Sequence, residues 1–200
     1  MDFLGFLITQ CLNALSQASV LLFLACGLTL IFGIMRIINF AHAYVGHTVA
    51  VLTGQFWLAL IAAPLVVAGV GALFEMFLLS RLYARRDGGA YLMITFGLAI
   101  VLSEAVRLIW GAQPKGIELP EVLTGVVFLL DQPFPIYRLF LIGLGVSASI
   151  ALWQFLERTR TGLLIRAVSQ NPEMVHALGT DIRIVRTGVF ALGCGLAAFG

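Results

Sequence analysis

The stretch CLNALSQASVLLFLACGLTLIFGI, residues Cys11 to Ile34, runs for 24 positions without a charged side chain. At a rise of about 1.5 Å per residue, such a helix crosses a hydrocarbon core of about 30 Å. Asp2 stands ahead of it, and the first basic residue is Arg36 behind it. A cleaved signal peptide needs a positive n-region. This helix is therefore expected to stay in the protein as a first membrane span.

The rest of the chain reads the same way. It is 60% hydrophobic and 11% charged over 200 residues, where a soluble chain is roughly 25% charged. Further spans are expected at about 41–62, 64–83, 91–110, 136–156 and 187–200. Between Arg36 and Arg81 the only charge is Glu75, and Pro64 marks a place to turn between two spans. A single merged span there is the alternative. The expected fold is an all-α polytopic membrane protein, a bundle of about six transmembrane helices. The sixth apolar run stops at Gly200 without a polar flank, which reads as a C-terminally truncated fragment. Paired small residues recur in the spans, as Gly69 with Gly71, Gly143 with Gly145, and Gly188 with Gly193 and Gly195. In lipid these let helices approach closely.

Basic residues set the orientation. Arg81, Arg85 and Arg86 form one cluster, and Arg158, Arg160, Arg166, Arg183 and Arg186 form another. The intervening loop, about 111–135, holds Lys115 against Glu118, Glu121 and Asp131. Both arginine clusters are expected in the cytoplasm, the loop 111–135 outside, and the N-terminus outside. The net charge of +2 gives no reason to expect nucleic acid as a partner. Cys11, Cys26 and Cys194 lie in apolar stretches without metal-ligand spacing and read as small buried hydrophobes.

The polar segment 157–186 holds the densest local signals. Asn171-Pro172-Glu173 starts a helix: Asn caps the free amides, Pro is pre-set for the first position, and Glu meets the positive end of the dipole. Gly179 supplies a left-handed stop. A helix over 172–178 follows, with Met174, Val175 and Leu178 on one apolar side. Thr180 or Asp181 is expected to cap the next helix. Upstream, Thr161-Gly162 precedes a further helical turn carrying Arg166. A helix this short needs a surface to dock on. That surface is either its own bundle or a cytoplasmic partner.

The same segment resembles the coupling loop of the permeases of ABC importers for branched-chain amino acids (LivH/LivM type). The matching residues are Arg160-Thr161-Gly162, Arg166-Ala167, Asn171-Pro172-Glu173, Ala177-Leu178-Gly179 and Asp181. The run from Gly27 to Phe40, closed by Ala41-His42, is similar to that family's first-helix signature, and Thr95-Phe96-Gly97-Leu98 with Trp110-Gly111 also resembles it. The chain departs at Ala43-Tyr44, where the family continues with Gly and often a polar or acidic residue. The resemblance implies a permease of about eight helices, of which residues 1–200 form a partial transmembrane domain. It implies translocation of branched-chain aliphatic amino acids across a bacterial-type inner membrane. It also implies cytoplasmic ATP-binding subunits, a second permease subunit and an external or periplasmic substrate-binding protein. Coupling to the ATPase would fall to Arg166, Asn171, Pro172, Glu173, Met174, Leu178 and Gly179. Urea, short amides and aromatic acids are alternative cargoes within this class.

The residues constrain the chemistry further. A P-loop needs Gly-Lys followed by Ser or Thr, and the sole Lys115 is followed by Gly116. ATP hydrolysis would therefore belong to a partner. Asn39 and His42 flank the junction of the first two expected spans. Broken backbone at membrane depth survives where it is buried or lines a cavity, which makes them substrate-pathway candidates, or else polar contacts between helices. Thr95 joins them on the resemblance. Glu104 and Arg107 are spaced to pair on one helix face. Glu75 is expected to pair with a basic residue near the inner surface. His42, His47 and His176 have no spaced carboxylate or metal set, so neither a catalytic constellation nor a cofactor is expected. A secondary transporter or channel would explain the spans but not the detailed polar segment.

The arginine asymmetry makes a direct prediction. With native cysteines replaced, a membrane-impermeant thiol reagent added outside should label Glu121→Cys and leave Ser169→Cys unlabelled. The reverse pattern would invert the topology.

Overall fold

The computed structural model describes residues 3–35, 52–80, 88–110, 119–129 and 132–199. Helix α1 runs from Phe3 to Met35 and α2 from Phe56 to Phe74, and α2 continues through a π-helical turn, Glu75–Leu79. Helix α3 covers Gly88–Trp110 and α4 covers Ile136–Arg158. Two short helices follow, α5 over Arg160–Gln170 and α6 over Pro172–Ala177, before α7 over Ile182–Ala197. Among the described residues, α1, α2 with its π turn, and α4 are long and apolar enough to cross a membrane. Large apolar side chains on them face outward, including Leu21, Ile61, Leu65 and Trp153. Such a surface suits lipid, since contiguous apolar patches of this kind are rare on soluble monomers.

Three expectations are corrected. Pro64 does not separate two spans; it lies inside α2. A turn at Gly54, whose φ is +61°, precedes Phe56 instead. Proline survives in membrane helices where neighbours take up the freed backbone groups, and α7 packs against this very turn: a Cβ on Gly195 would sit 3.1 Å from the Pro64 carbonyl oxygen. The first helix begins at Phe3 rather than near residue 11. The fold is also not purely helical. Strands β1, Val126–Leu129, and β2, Gln132–Pro135, pair antiparallel within the loop expected outside. Gly125 accepts a hydrogen bond from the Ile136 amide at 3.0 Å, closing this hairpin onto the start of α4.

The pairings between helices fix their directions. Arg138 of α4 donates to Asn13 of α1, and further along Gly145 meets Ser19. Phe56 and Trp57 of α2 pack with Phe140 of α4, and Phe56 also with Tyr137, at 5.8–6.3 Å between ring centroids. Helices α1, α2 and α4 thus run parallel from the hairpin end of the bundle. Helix α7 runs the other way. Its Phe199 flank meets Phe23, Gly193 meets Ile31, and Thr187 reaches back to Glu75. The chain between Met35 and Phe56 therefore joins opposite ends of the bundle. Between the end of α2 and the start of α4 the chain must return as well, and α3, at 23 residues or about 34 Å, has the length for it.

Helix α7 holds the core. Val189, Phe190, Gly193, Cys194, Gly195 and Ala197 are all buried. Phe190 and Cys194 cluster with Ile31, Val67 and Leu79. Of the expected sets, Gly193 and Gly195 both approach a neighbouring helix closely, while in the other two only one glycine does. Gly71 faces Cys194, and Gly145 faces Ser19, whereas Gly69, Gly143 and Gly188 face open space. Gly143 and Gly145 lie two positions apart on α4 and therefore make a matched test. A Cβ at Gly145 would stand 2.7 Å from Ser19 Cβ, so Gly145→Ala should destabilise the bundle by about 1–3 kcal/mol through overpacking. Gly143→Ala should be neutral or slightly stabilising, since alanine is the better helix former. Thermal unfolding of the detergent-solubilised protein distinguishes the two.

Candidate functional site

The polar segment folds as a corner at the far end of the bundle from the hairpin. Thr159 caps α5: its hydroxyl accepts from the Gly162 amide at 3.0 Å and donates to the Phe155 carbonyl at 2.6 Å. Gly162 lies buried against the backbone of Phe155 and Leu156, a place with no room for a side chain. Ile165 and Val168 turn inward. Arg166 forms an ion pair with Glu157 at the end of α4, with both side chains partly exposed. It straps α5 to the preceding helix.

Helix α6 is built as its sequence dictates. Asn171 Oδ1 accepts from the Met174 amide at 3.0 Å, with Pro172 in the first turn and Glu173 beside it. The helix proper ends at Ala177, with Leu178 as its cap. Gly179, at φ +87°, reverses the chain. Its amide donates to the His176 carbonyl at 2.9 Å, and the Thr180 amide donates to Val175 at 3.3 Å. These two bonds form a Schellman motif, which requires the left-handed residue that glycine supplies. Asp181 then caps α7 by accepting from the Arg183 amide at 2.9 Å. The expected apolar side divides in two. Val175 is buried against the bundle, while Met174 and Leu178, one turn apart, stand 61% and 79% exposed.

The expected site residues fall into separate groups. Arg166, Asn171, Pro172, Glu173, Met174, Leu178 and Gly179 come together in this corner. Asn39 and His42 lie outside the described residues, as do Arg81, Arg85 and Arg86. Thr95 lies in α3. Glu104 accepts from Arg107 at 3.1 Å on the exposed face of that helix. Among the described residues no group of three metal-ligating side chains gathers. Glu75 is buried, 2% exposed, and accepts from the Thr187 hydroxyl of α7. Arg183 and Arg186 line a cavity of about 980 Å³ together with Glu75, Ser80, Thr187 and Gly188; the basic run Arg81–Arg86, beside which Glu75 was expected to pair, lies outside the described residues. The Thr187 contact was missed because a hydroxyl 112 positions away leaves no local signal. The Thr159–Gly162 cap was legible, as Thr followed by a helix is an N-cap pattern.

Apolar helices of spanning length, joined at one end by a polar corner, define a multi-pass membrane protein. Residues 10–200 match the family described as branched-chain amino acid transport system, permease component, and the chain belongs to that family. It is similar to the high-affinity branched-chain amino acid transport system permease protein BraD of Pseudomonas aeruginosa, 27% identical over 216 residues, covering 94% of this chain and 67% of that one. No solved structure matches it significantly. The protein is thus a membrane-embedded permease component.

The capping geometry predicts graded effects. Asn171→Ala removes the acceptor for Met174 and should weaken α6 by about 1 kcal/mol. Gly179→Val forces a β-branched residue to positive φ and should cost more. Amide hydrogen exchange over residues 172–180 should rise in both variants, and more in the second.

Proposed function

We propose that this chain is the membrane permease subunit of an ATP-binding cassette importer. It carries branched-chain aliphatic amino acids across the inner membrane, driven by separate cytoplasmic ATPase subunits. Residues 1–200 form its transmembrane permease domain, and residues 157–186 are the coupling loop. A second permease subunit completes the translocation path, and an external substrate-binding protein delivers the cargo. The observation that carries this reading is the corner itself. Helix α6, held by Asn171 and Gly179, presents Met174 and Leu178 to solvent at the end that holds Arg158, Arg160 and Arg183. Positive residues favour the cytoplasmic side. With that end inside, α1 begins outside, and the N-terminus is external.

The roles divide by chemistry. Met174 and Leu178 fill an apolar cleft of the ATPase. Asn171, Pro172, Glu173 and Gly179 keep α6 stiff enough to move as one body. Arg166 holds α5 to α4, so that displacement of the corner reaches the spans. Asn39, His42 and Thr95 are assigned to the substrate pathway. Ala43-Tyr44 depart from the Gly and polar or acidic residue of the family, and urea, short amides or aromatic acids are the second reading of the cargo.

Two exposed apolar side chains at the centre of an interface each contribute more than 1 kcal/mol in favourable cases. Met174→Glu combined with Leu178→Glu should therefore reduce ATPase co-purification by on the order of tenfold or more. ATP-driven uptake of labelled leucine from the loaded binding protein should fall with it. Full retention of both would reduce α6 to a surface loop. Uptake of urea in place of leucine by the unmodified complex would select the second cargo.

A further inference from the structure

Helix α7 is packed unevenly along its length. From Val189 onward it is wedged between α1 and α2, and Gly193 and Gly195 allow backbone approach on both sides. Its first turns are different. Arg183, Ile184 and Gly188 are exposed, and a Cβ on Gly188 would meet nothing within 4 Å. The cavity of about 980 Å³ lies beside these turns, open on one side, with Ser80 on its α2 wall. Thr187 bridges this gap: its hydroxyl faces both the Arg183 carbonyl at 3.0 Å and the carboxylate of Glu75.

The α2 side of this contact is irregular as well. Glu75 opens the π-helical turn that ends at Leu79. A π turn holds one residue more than the α-helical ladder needs, and such turns recur at functional sites. A buried carboxylate is retained at a cost unless it is well bonded, and here the bond comes from another helix. The start of α7 is joined rigidly to the corner through Asp181, Thr180 and the Gly179 reversal. A push on α6 is therefore delivered first to the turns of α7 that have room to move.

We propose that Glu75 is a positioning residue of the transport cycle, and that its hydrogen bond with Thr187 transmits displacement of the α6 corner to the π turn of α2. The tight half of α7 is the pivot, the cavity is the space for movement, and the Thr187–Glu75 bond is the tie. This rests on the importer reading above. Glu75 does not touch the cargo; it sets how α2 follows α7. Arg183 and Arg186 line the same cavity.

The test uses the assembled permease–ATPase complex in lipid nanodiscs. The first measurement is the ratio of ATP hydrolysis with loaded binding protein to hydrolysis without it, together with uptake per ATP in vesicles. Thr187→Val and Glu75→Ala should each lower that ratio at least about fivefold, the low end of coupling between sites. Thr187→Ser should restore it, and the double variant should be no worse than either single one. A purely structural role would lower the amount of complex and leave the ratio unchanged, which overturns the proposal. The second measurement does not depend on those variants folding. Spin labels at Ser80→Cys and Ile184→Cys, with Cys11 and Cys26 replaced and buried Cys194 kept, report the width of the cavity. That distance should shift between nucleotide-free and ATP-bound complex; an unchanged distance overturns the proposal. If the unmodified complex shows no ATP-driven uptake at all, the importer reading itself fails, an outcome distinct from a normal transporter indifferent to Glu75.

Discussion

The close crossing of α7 between α1 and α2 is the constraint on which the arrangement depends. Helices in lipid gain little from burying apolar surface, because the tails are as apolar as leucine. Contact area and backbone proximity must hold them instead. Gly193 lets α7 approach Ile31 and the Gly27 carbonyl, and Gly195 lets it approach the Pro64 turn. Phe190 and Cys194 fill the remaining space with Val67 and Leu79. Larger residues at either glycine would push α7 off one neighbour, and the core would open.

That crossing also explains why a proline is tolerated in mid-span. Pro64 removes an amide from the α2 ladder and frees a carbonyl one turn earlier. The Pro64 carbonyl faces the side-chain-free surface of Gly195, and two turns on Gly71 makes room for Cys194. A helix carrying larger residues there could not lie so close. Proline in α2 and glycine in α7 are thus two halves of one packing solution, although they lie more than a hundred positions apart in sequence.

Local signals were read well, and distant ones poorly. The Asn171-Pro172-Glu173 start and the Gly179 stop produce the expected helix within a residue, because capping is settled by neighbours in sequence. The membrane character follows from composition, and α4 lies where its apolar run placed it. Pro64 misled, because a proline reads as a boundary until its partner helix is known. The hairpin at 126–135 was hidden by its shortness: eight strand residues give too little alternation to detect. For the corner, sequence pattern gave an apolar side of Met174, Val175 and Leu178, but could not say that Val175 turns inward. That division depends on where the bundle lies. Asn39 and His42 fall outside the described residues, so pathway chemistry still rests on the sequence alone.

The parallel course of α1, α2 and α4 carries a consequence for topology. Two helices that run the same way cannot be joined by a short turn, so the chain must return between them. Thirty-three residues of α1 end at the corner side, and α2 starts at the hairpin side. The boundary expected at Pro64 is replaced by a helix that runs through that residue. Orientation depends on the parity of the crossings rather than on where each span begins. An error of ten residues in a boundary leaves that parity unchanged, whereas one lost crossing reverses everything upstream of it.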